Sequence, residues 1–180
     1  MKVVPTTLKD CVVIEPRVFG DHRGFFLETF QAERYSQEAS ISLPFVQDNH
    51  SRSGKGVLRG LHFQITKPQG KLVRVVNGEV FDVAVDLRRD SATFGQWEGV
   101  YLNGDNKRQF WVPPGFAHGF VVVSETADFE YKCTDYYDPA DEGAIAWNDP
   151  DIGIKWPIDI EVKLSEKDAN APSFREFCCS

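Results

Sequence analysis

Lys71-Leu-Val-Arg-Val-Val-Asn-Gly-Glu-Val-Phe-Asp-Val-Ala-Val-Asp86 is the stretch from which the fold is read. Two β-branched runs flank Asn77-Gly78, a dipeptide that adopts positive φ at little cost, so the pattern predicts two strands joined as a β-hairpin. In the second run Phe81, Val83 and Val85 point one way, and Asp82, Ala84 and Asp86 point the other. One face is core. The other is polar, facing either solvent or a pocket.

Outward from this centre, strand patterns recur at 12–18, 24–29, 45–51, 57–64, 96–102, 108–112, 119–124 and 128–134. They are punctuated by Asn103-Gly104, Pro113-Pro114-Gly115 and Asp138-Pro139. Short strands following one another with few helices imply an all-β sandwich or barrel. Helical pattern is confined to 30–38 and 166–169. The tail 149–172 alternates Pro, Asp and hydrophobic residues and reads as a segment, extending to about 149–180, that wraps the β-core. With no repeat or linker visible, residues 1–180 read as a single domain.

The formal net charge is −7, from 20 Lys and Arg against 27 Asp and Glu, which argues against nonspecific nucleic-acid binding. The balance is uneven: residues 1–80 carry 11 cations and 8 acids, residues 81–180 carry 9 and 19. An anionic small ligand is therefore met by a few placed cations, several of them N-terminal. The cysteines Cys11, Cys133, Cys178 and Cys179 form no CxxC pair, and vicinal Cys178 and Cys179 are too close for an ordinary mutual disulfide. Neither a disulfide framework nor a zinc site is expected. The N-terminus lacks a signal-peptide pattern and no run reaches the roughly 20 apolar residues of a membrane span, so a soluble, reduced, cytoplasmic protein is expected.

Gly-rich phosphate motifs, a nucleophile elbow and HExxH are all absent, so any anion site is built from Arg and Lys side chains on strands. His62 sits inside the apolar strand 57–64, near Arg59 and ahead of Lys71. In an ideal strand residues 59 and 62 face opposite sides. Both line one cavity only if Gly60 marks a bulge or if subunits share the site. His118 reads as a turn histidine on a rim, and His22 and His50 as loop histidines. Tyr131 alternates with Phe129 and Cys133 as a strand residue; as a catalyst it is a weak acid, able to return a proton to a carbanion. Asp168 fits a helix capping box with Ser165, or it holds an imidazole in a useful tautomer.

Taken together, Phe19–Glu28, Gln47–Ser51, Leu58–Gln64, Gly70–Arg74, Trp111–Phe120, Glu130–Asp135, Trp147–Pro150 and Leu164–Asp168 resemble the dTDP-4-dehydrorhamnose 3,5-epimerase family, in family order. The resemblance implies a cupin-type β-jelly roll with a few short helices, working as a homodimer. It implies a dTDP-linked 6-deoxy-4-keto hexose as substrate, inverted at C3 and C5. By position, His62 is the base, Asp168 its partner and Tyr131 the acid on the opposite face; Lys71 is a candidate to stabilise the developing oxyanion. Arg23, Glu28, Gln47, Asp48, Asn49, Arg59, His118, Glu142 and Lys167 match positions that contact nucleotide or sugar, and Phe19 and Phe26 match positions that enclose base or sugar. Metal-binding cupins carry an HxH pair; here the stretch is His62-Phe63-Gln64, so catalysis without metal or other cofactor is expected. Single-centre epimerisation, another dTDP-4-keto sugar, and a noncatalytic sugar-nucleotide-binding cupin are the alternatives.

Overall fold

The computed structural model describes residues 1–157, 159 and 161–179. Its first strands are β1 (Lys2–Pro5), β2 (Val12–Glu15), β3 (Val18–Asp21), β4 (Gly24–Leu27), β5 (Gln47–Gly54), β6 (Leu58–Gln64) and β7 (Lys71–Asn77). The remainder are β8 (Glu79–Asp86), β9 (Trp97–Asn103), β10 (Gln109–Val112), β11 (Phe116–Val122), β12 (Thr126–Cys133) and β13 (Glu142–Ala144). Three short helices complete it: α1 (Ala32–Ala39), α2 (Glu166–Ala169) and α3 (Phe174–Cys179). The elements β1, β3, β13 and α3 are additions to the sequence reading. Strands of three or four residues hold too few alternations to stand out from loop.

A six-stranded sheet in the order β1-β2-β10-β7-β12-β5 faces a five-stranded sheet in the order β13-β6-β11-β8-β9, and β3 and β4 form a separate ribbon. This is the cupin-type jelly roll. Its layout corrects the expected hairpin. The strand β7 pairs with β10 and β12, while β8 pairs with β11 and β9, so the two arms belong to different sheets. Asn77-Gly78 turns the chain across a corner between them. The positive φ was legible: Gly78 has φ 77°, and a Cβ there would lie 1.9 Å from the Thr126 carbonyl oxygen. A tight turn sets chain reversal; it does not decide whether the arms bond to each other or to third strands.

Three buried clusters hold the layers. Val73, Val75, Phe110 and Phe129 join Ala84, Phe120 and Val122 in one of them, with Phe120 and Phe129 stacked at 4.2 Å. Leu58, Leu61, Phe81, Val83 and Val85 join Ile145 and Ile152 in a second cluster, and Trp156, Leu164, Phe174 and Phe177 pack against it. The tail thus covers the outer face of the five-stranded sheet. That cover explains why β8 is buried from Val80 to Asp86, on both faces. A third cluster sets α1, through Tyr35 and Ala39, against Ile14, Leu72 and Trp111. Among the described residues no helix is long and apolar enough to cross a membrane.

Asp86 ends β8 in a closed polar nest. Its carboxylate accepts from Arg88, Ser91 and Thr93. Burial pushes its pKa up, but those bonds outweigh it and hold the group at about 2, below the ordinary 3.8. A depressed carboxyl stabilises the fold above its unfolded pKa and loses that contribution as pH falls toward the folded value. Unfolding free energy, measured by urea titration, is therefore expected to drop between about pH 4 and pH 2. In Asp86→Asn, stability at neutral pH should be lower and this part of the acid dependence gone; an unchanged acid profile would refute the assignment.

Candidate active site

The strand β6 resolves the parity problem at Gly60. Its neighbour β11 matches His118 to His62 and Phe120 to Arg59, so three steps along β6 oppose two along β11. This extra residue is a bulge, one of the two possibilities the sequence left open. Leu58 and Leu61 consequently share the outer cluster. Arg59 and His62 turn the other way, with the Arg59 guanidinium donating to Ser53 Oγ at 3.1 and 3.2 Å. Only glycine fits the bend: Gly60 has φ 120°, and a Cβ would stand 2.6 Å from Gly119 Cα and 2.8 Å from the His118 carbonyl oxygen.

His62 lines a cavity of about 360 Å³ with Lys71, Tyr131, Gln47, Asn49, Gln64, Cys133, Tyr137 and Glu142. The walls come from both sheets. His62 stands on β6 and Glu142 on β13, while Tyr131 stands on β12 and Lys71 on β7 of the six-stranded sheet. Base and acid candidates therefore approach the enclosed space from opposing walls.

Behind His62 lies Asp168, only 4 % exposed, with its Oδ1 at 2.5 Å from His62 Nε2. Both readings of Asp168 hold in part. Its backbone N–H donates to Ser165 Oγ at 3.1 Å, the cap, while its carboxylate is committed to the imidazole. Burial pushes the Asp168 pKa up, but the bond and charge of His62 outweigh it and the net direction is down. An ionised Asp168 draws the ring proton onto Nε2 and leaves Nδ1 free to accept one.

Tyr131 is the complementary group. Burial raises its pKa, opposed by the nearby charge of Arg59, so the phenol keeps its proton at neutral pH. Burial lowers the Lys71 pKa, opposed in part by the nearby carboxylates Asp82 and Glu142. Glu142 is held by the Lys167 ammonium and by Tyr137, whose hydroxyl donates to Oε2 at 2.9 Å. Burial alone would raise the Glu142 pKa; these bonds lower it. Since Lys167 precedes Asp168, this ion pair also pins α2 against the barrel.

Other predicted positions fall elsewhere. Arg23 is paired with Asp21 on the β3–β4 ribbon, 78 % exposed, and Phe26 on the same ribbon is 68 % exposed. Phe19 carries the Arg17 guanidinium over its ring, and Glu28 pairs with Arg34 at 2.7 Å. None of these four lines the cavity of its own chain. Asp48 alternates away from Gln47 and Asn49 and binds Lys132 at 2.9 Å. It borders an adjoining hollow of about 320 Å³ together with His50, Arg74 and Glu130, and Asn49 and Tyr131 line both spaces.

Two histidine readings are corrected. His118 is not on a rim but buried within β11, its Nε2 at 2.9 and 3.0 Å from the two Asp82 oxygens. His50 is not in a loop; it lies within β5, 3.3 Å from Asp128 Oδ1. Sequence reasoning also passed over Gln64, Cys133 and Tyr137. Gln64 donates to the carbonyls of Lys67 and Tyr136, and its Oε1 accepts from the Asp138 amide. Tyr137 follows a strand end, where no periodicity marks it. Asp82, read from the sequence as part of a polar face turned to solvent or a pocket, is fully buried in a strand covered on both faces.

Residues 5–176 match the family model described as dTDP-4-dehydrorhamnose 3,5-epimerase. The chain is 55% identical over 179 residues to the dTDP-4-dehydrorhamnose 3,5-epimerase of Pseudomonas aeruginosa, covering 99% of each chain. It is 57% identical over 173 residues to that of Salmonella typhimurium, covering 96% of this chain and 94% of the relative. A crystal structure of dTDP-6-deoxy-D-glucose-3,5-epimerase from Legionella pneumophila, in complex with dTDP-4-keto-L-rhamnose, superposes with a TM-score of 0.95 at 57% identity, covering 97% and 93% of the two chains.

Proposed function

The chain belongs to the dTDP-4-dehydrorhamnose 3,5-epimerase family, and from that premise we propose how its own residues carry the reaction. The activity is epimerisation at C3 and C5 of dTDP-4-dehydro-6-deoxy-D-glucose, giving dTDP-4-dehydro-L-rhamnose. The assignment of roles rests on one observation: an Asp-backed imidazole and a protonated phenol line opposite walls of one cavity.

His62 Nδ1 removes the proton from the carbon beside the C4 ketone, and the C–H electron pair moves into the carbonyl to give an enolate. The Lys71 ammonium faces the developing oxygen charge. Collapse of the enolate takes the Tyr131 hydroxyl proton on the other face, so the centre inverts. The imidazolium then loses its proton to solvent and the phenolate regains one. The same cycle serves the second carbon, which flanks the same ketone. Arg59, Gln47 and Asn49 meet the nucleotide end, and their binding energy orients the hexose.

A homodimer is part of the same proposal. Phe19, Arg23 and Phe26 sit on an exposed ribbon clear of their own cavity. A second copy gives these residues a site to reach, as the family positions imply. Four free cysteines agree with a cytoplasmic location.

The test is incubation of the purified protein with dTDP-4-keto-6-deoxyglucose in deuterated water, followed by NMR. Deuterium at C3 and C5 with inversion at both is expected. Exchange at one carbon would favour a single-centre epimerase, and none would favour a binding protein.

A further inference from the structure

On β6, just beyond His62, stands a buried glutamine whose whole side-chain amide is spent on backbone groups. Gln64 Nε2 donates to the carbonyl oxygens of Lys67 at 2.8 Å and Tyr136 at 3.2 Å, and its Oε1 accepts from the Asp138 N–H at 2.7 Å. These partners fix which way the amide points, because the reverse orientation would set donor against donor and oxygen against oxygen. Two of the bonds bracket a single residue. They hold the carbonyl before Tyr137 and the N–H after it, as a neighbouring strand would.

Tyr137 has use for such a support. It lies in the segment 134–141 between β12 and β13, half exposed, and lines the cavity with His62. Its own N–H donates to Gln47 Oε1 and its hydroxyl to Glu142 Oε2, both at 2.9 Å. Gln47, Gln64 and Glu142 stand on β5, β6 and β13, so three strands converge on this residue. We propose that Gln64 is a positioning residue for substrate binding: its amide brackets Tyr137 and sets that ring in the cavity wall before the ligand arrives. The inference rests on this cavity being the site of the sugar nucleotide.

The surroundings separate this role from plain packing. The adjoining loop 65–70 has its own anchor in Asp141, whose carboxylate accepts from the Thr66 N–H, the Thr66 hydroxyl and the Lys67 N–H at 2.9, 2.7 and 2.9 Å. Gln69 Nε2 donates to the Asp135 carbonyl at 2.8 Å, tying the same loop to the end of β12. Among the described residues, what Gln64 alone supplies is the pair of bonds flanking Tyr137. His62 keeps its own bond to Asp168, and Tyr131 stands on the opposing sheet, so neither depends on the Gln64 amide. A wall residue already in place spares the ligand the cost of ordering it. Losing that order weakens binding more than chemistry.

The test is Gln64→Met, which keeps the length of the side chain and removes all three bonds, assayed with dTDP-4-keto-6-deoxyglucose. Expected is a KM about tenfold higher, with kcat changing far less. In a Tyr137→Ala background the same substitution should leave KM almost where Tyr137→Ala alone puts it, since the two residues act as a unit. A full increase in both backgrounds, or a loss of active protein at unchanged KM, overturns the proposal. The wild-type protein supplies a second reading that needs neither a variant to fold nor a substrate. In its ¹⁵N NMR spectrum the Gln64 side-chain amide protons should exchange with solvent far more slowly than those of the exposed Gln37. Exchange at equal rates overturns the proposal. Failure of the epimerase reading would be separate, since wild-type protein would then incorporate no deuterium at C3 or C5 whatever the state of Gln64.

Discussion

His62→Asn is expected to abolish deuterium incorporation at both C3 and C5 and to lower turnover by about 10²–10⁴. Asparagine retains a donor toward Asp168 and fills much of the ring's space, so the fold and the α2 contact should persist. What it lacks is a group that accepts a proton near neutral pH. Asp168 is no substitute, because it lies behind the ring at 4 % exposure with its pKa held down. The check is an NMR exchange assay on the variant beside a thermal melt. Continued exchange at either carbon, in protein that melts normally, would remove His62 from the role of base.

Tyr131→Phe should separate two events that His62→Asn abolishes together. Phenylalanine keeps the ring near Phe129, whose centroid is 5.9 Å away, and deletes only the hydroxyl. Proton removal by His62 continues, and the enolate takes deuterium back on the face from which it left. Product formation should fall by about 10²–10⁴ while exchange with retained configuration survives. Burial favours the neutral phenol, so the wild-type acid stays loaded well above neutral pH. A variant that still inverts at normal speed would show that another donor serves that face.

The sequence was informative where a local signal has one physical meaning. Gly60 between Arg59 and His62 marked where a bulge could turn both to one side, with a shared site left equally open until the register against β11 was seen. Ser165 announced a helix start, and the alternation of Pro and hydrophobic residues after Asp149 announced a covering segment. It was ambiguous where pairing is nonlocal. Asn77-Gly78 marks a reversal, yet the arms separate into two sheets because their partners β10, β11 and β12 lie tens of residues away. His118 read as a rim residue because its buried partner, Asp82, is 36 residues distant. Gln47, Asp48 and Asn49 were grouped by position, whereas strand alternation sends Asp48 to the outer face and Lys132. Arg23 and Phe26, matched only by family position, lie on an exposed ribbon and do not line the cavity of their own chain.

The most direct measurement is a crystal structure of this protein with dTDP-4-dehydro-L-rhamnose bound. The account predicts the hexose between the sheets, His62 Nδ1 and the Tyr131 hydroxyl in contact with opposite faces of the ring, and the C4 oxygen toward Lys71. A hexose that meets both side chains on one face, or lies outside their reach, would contradict it.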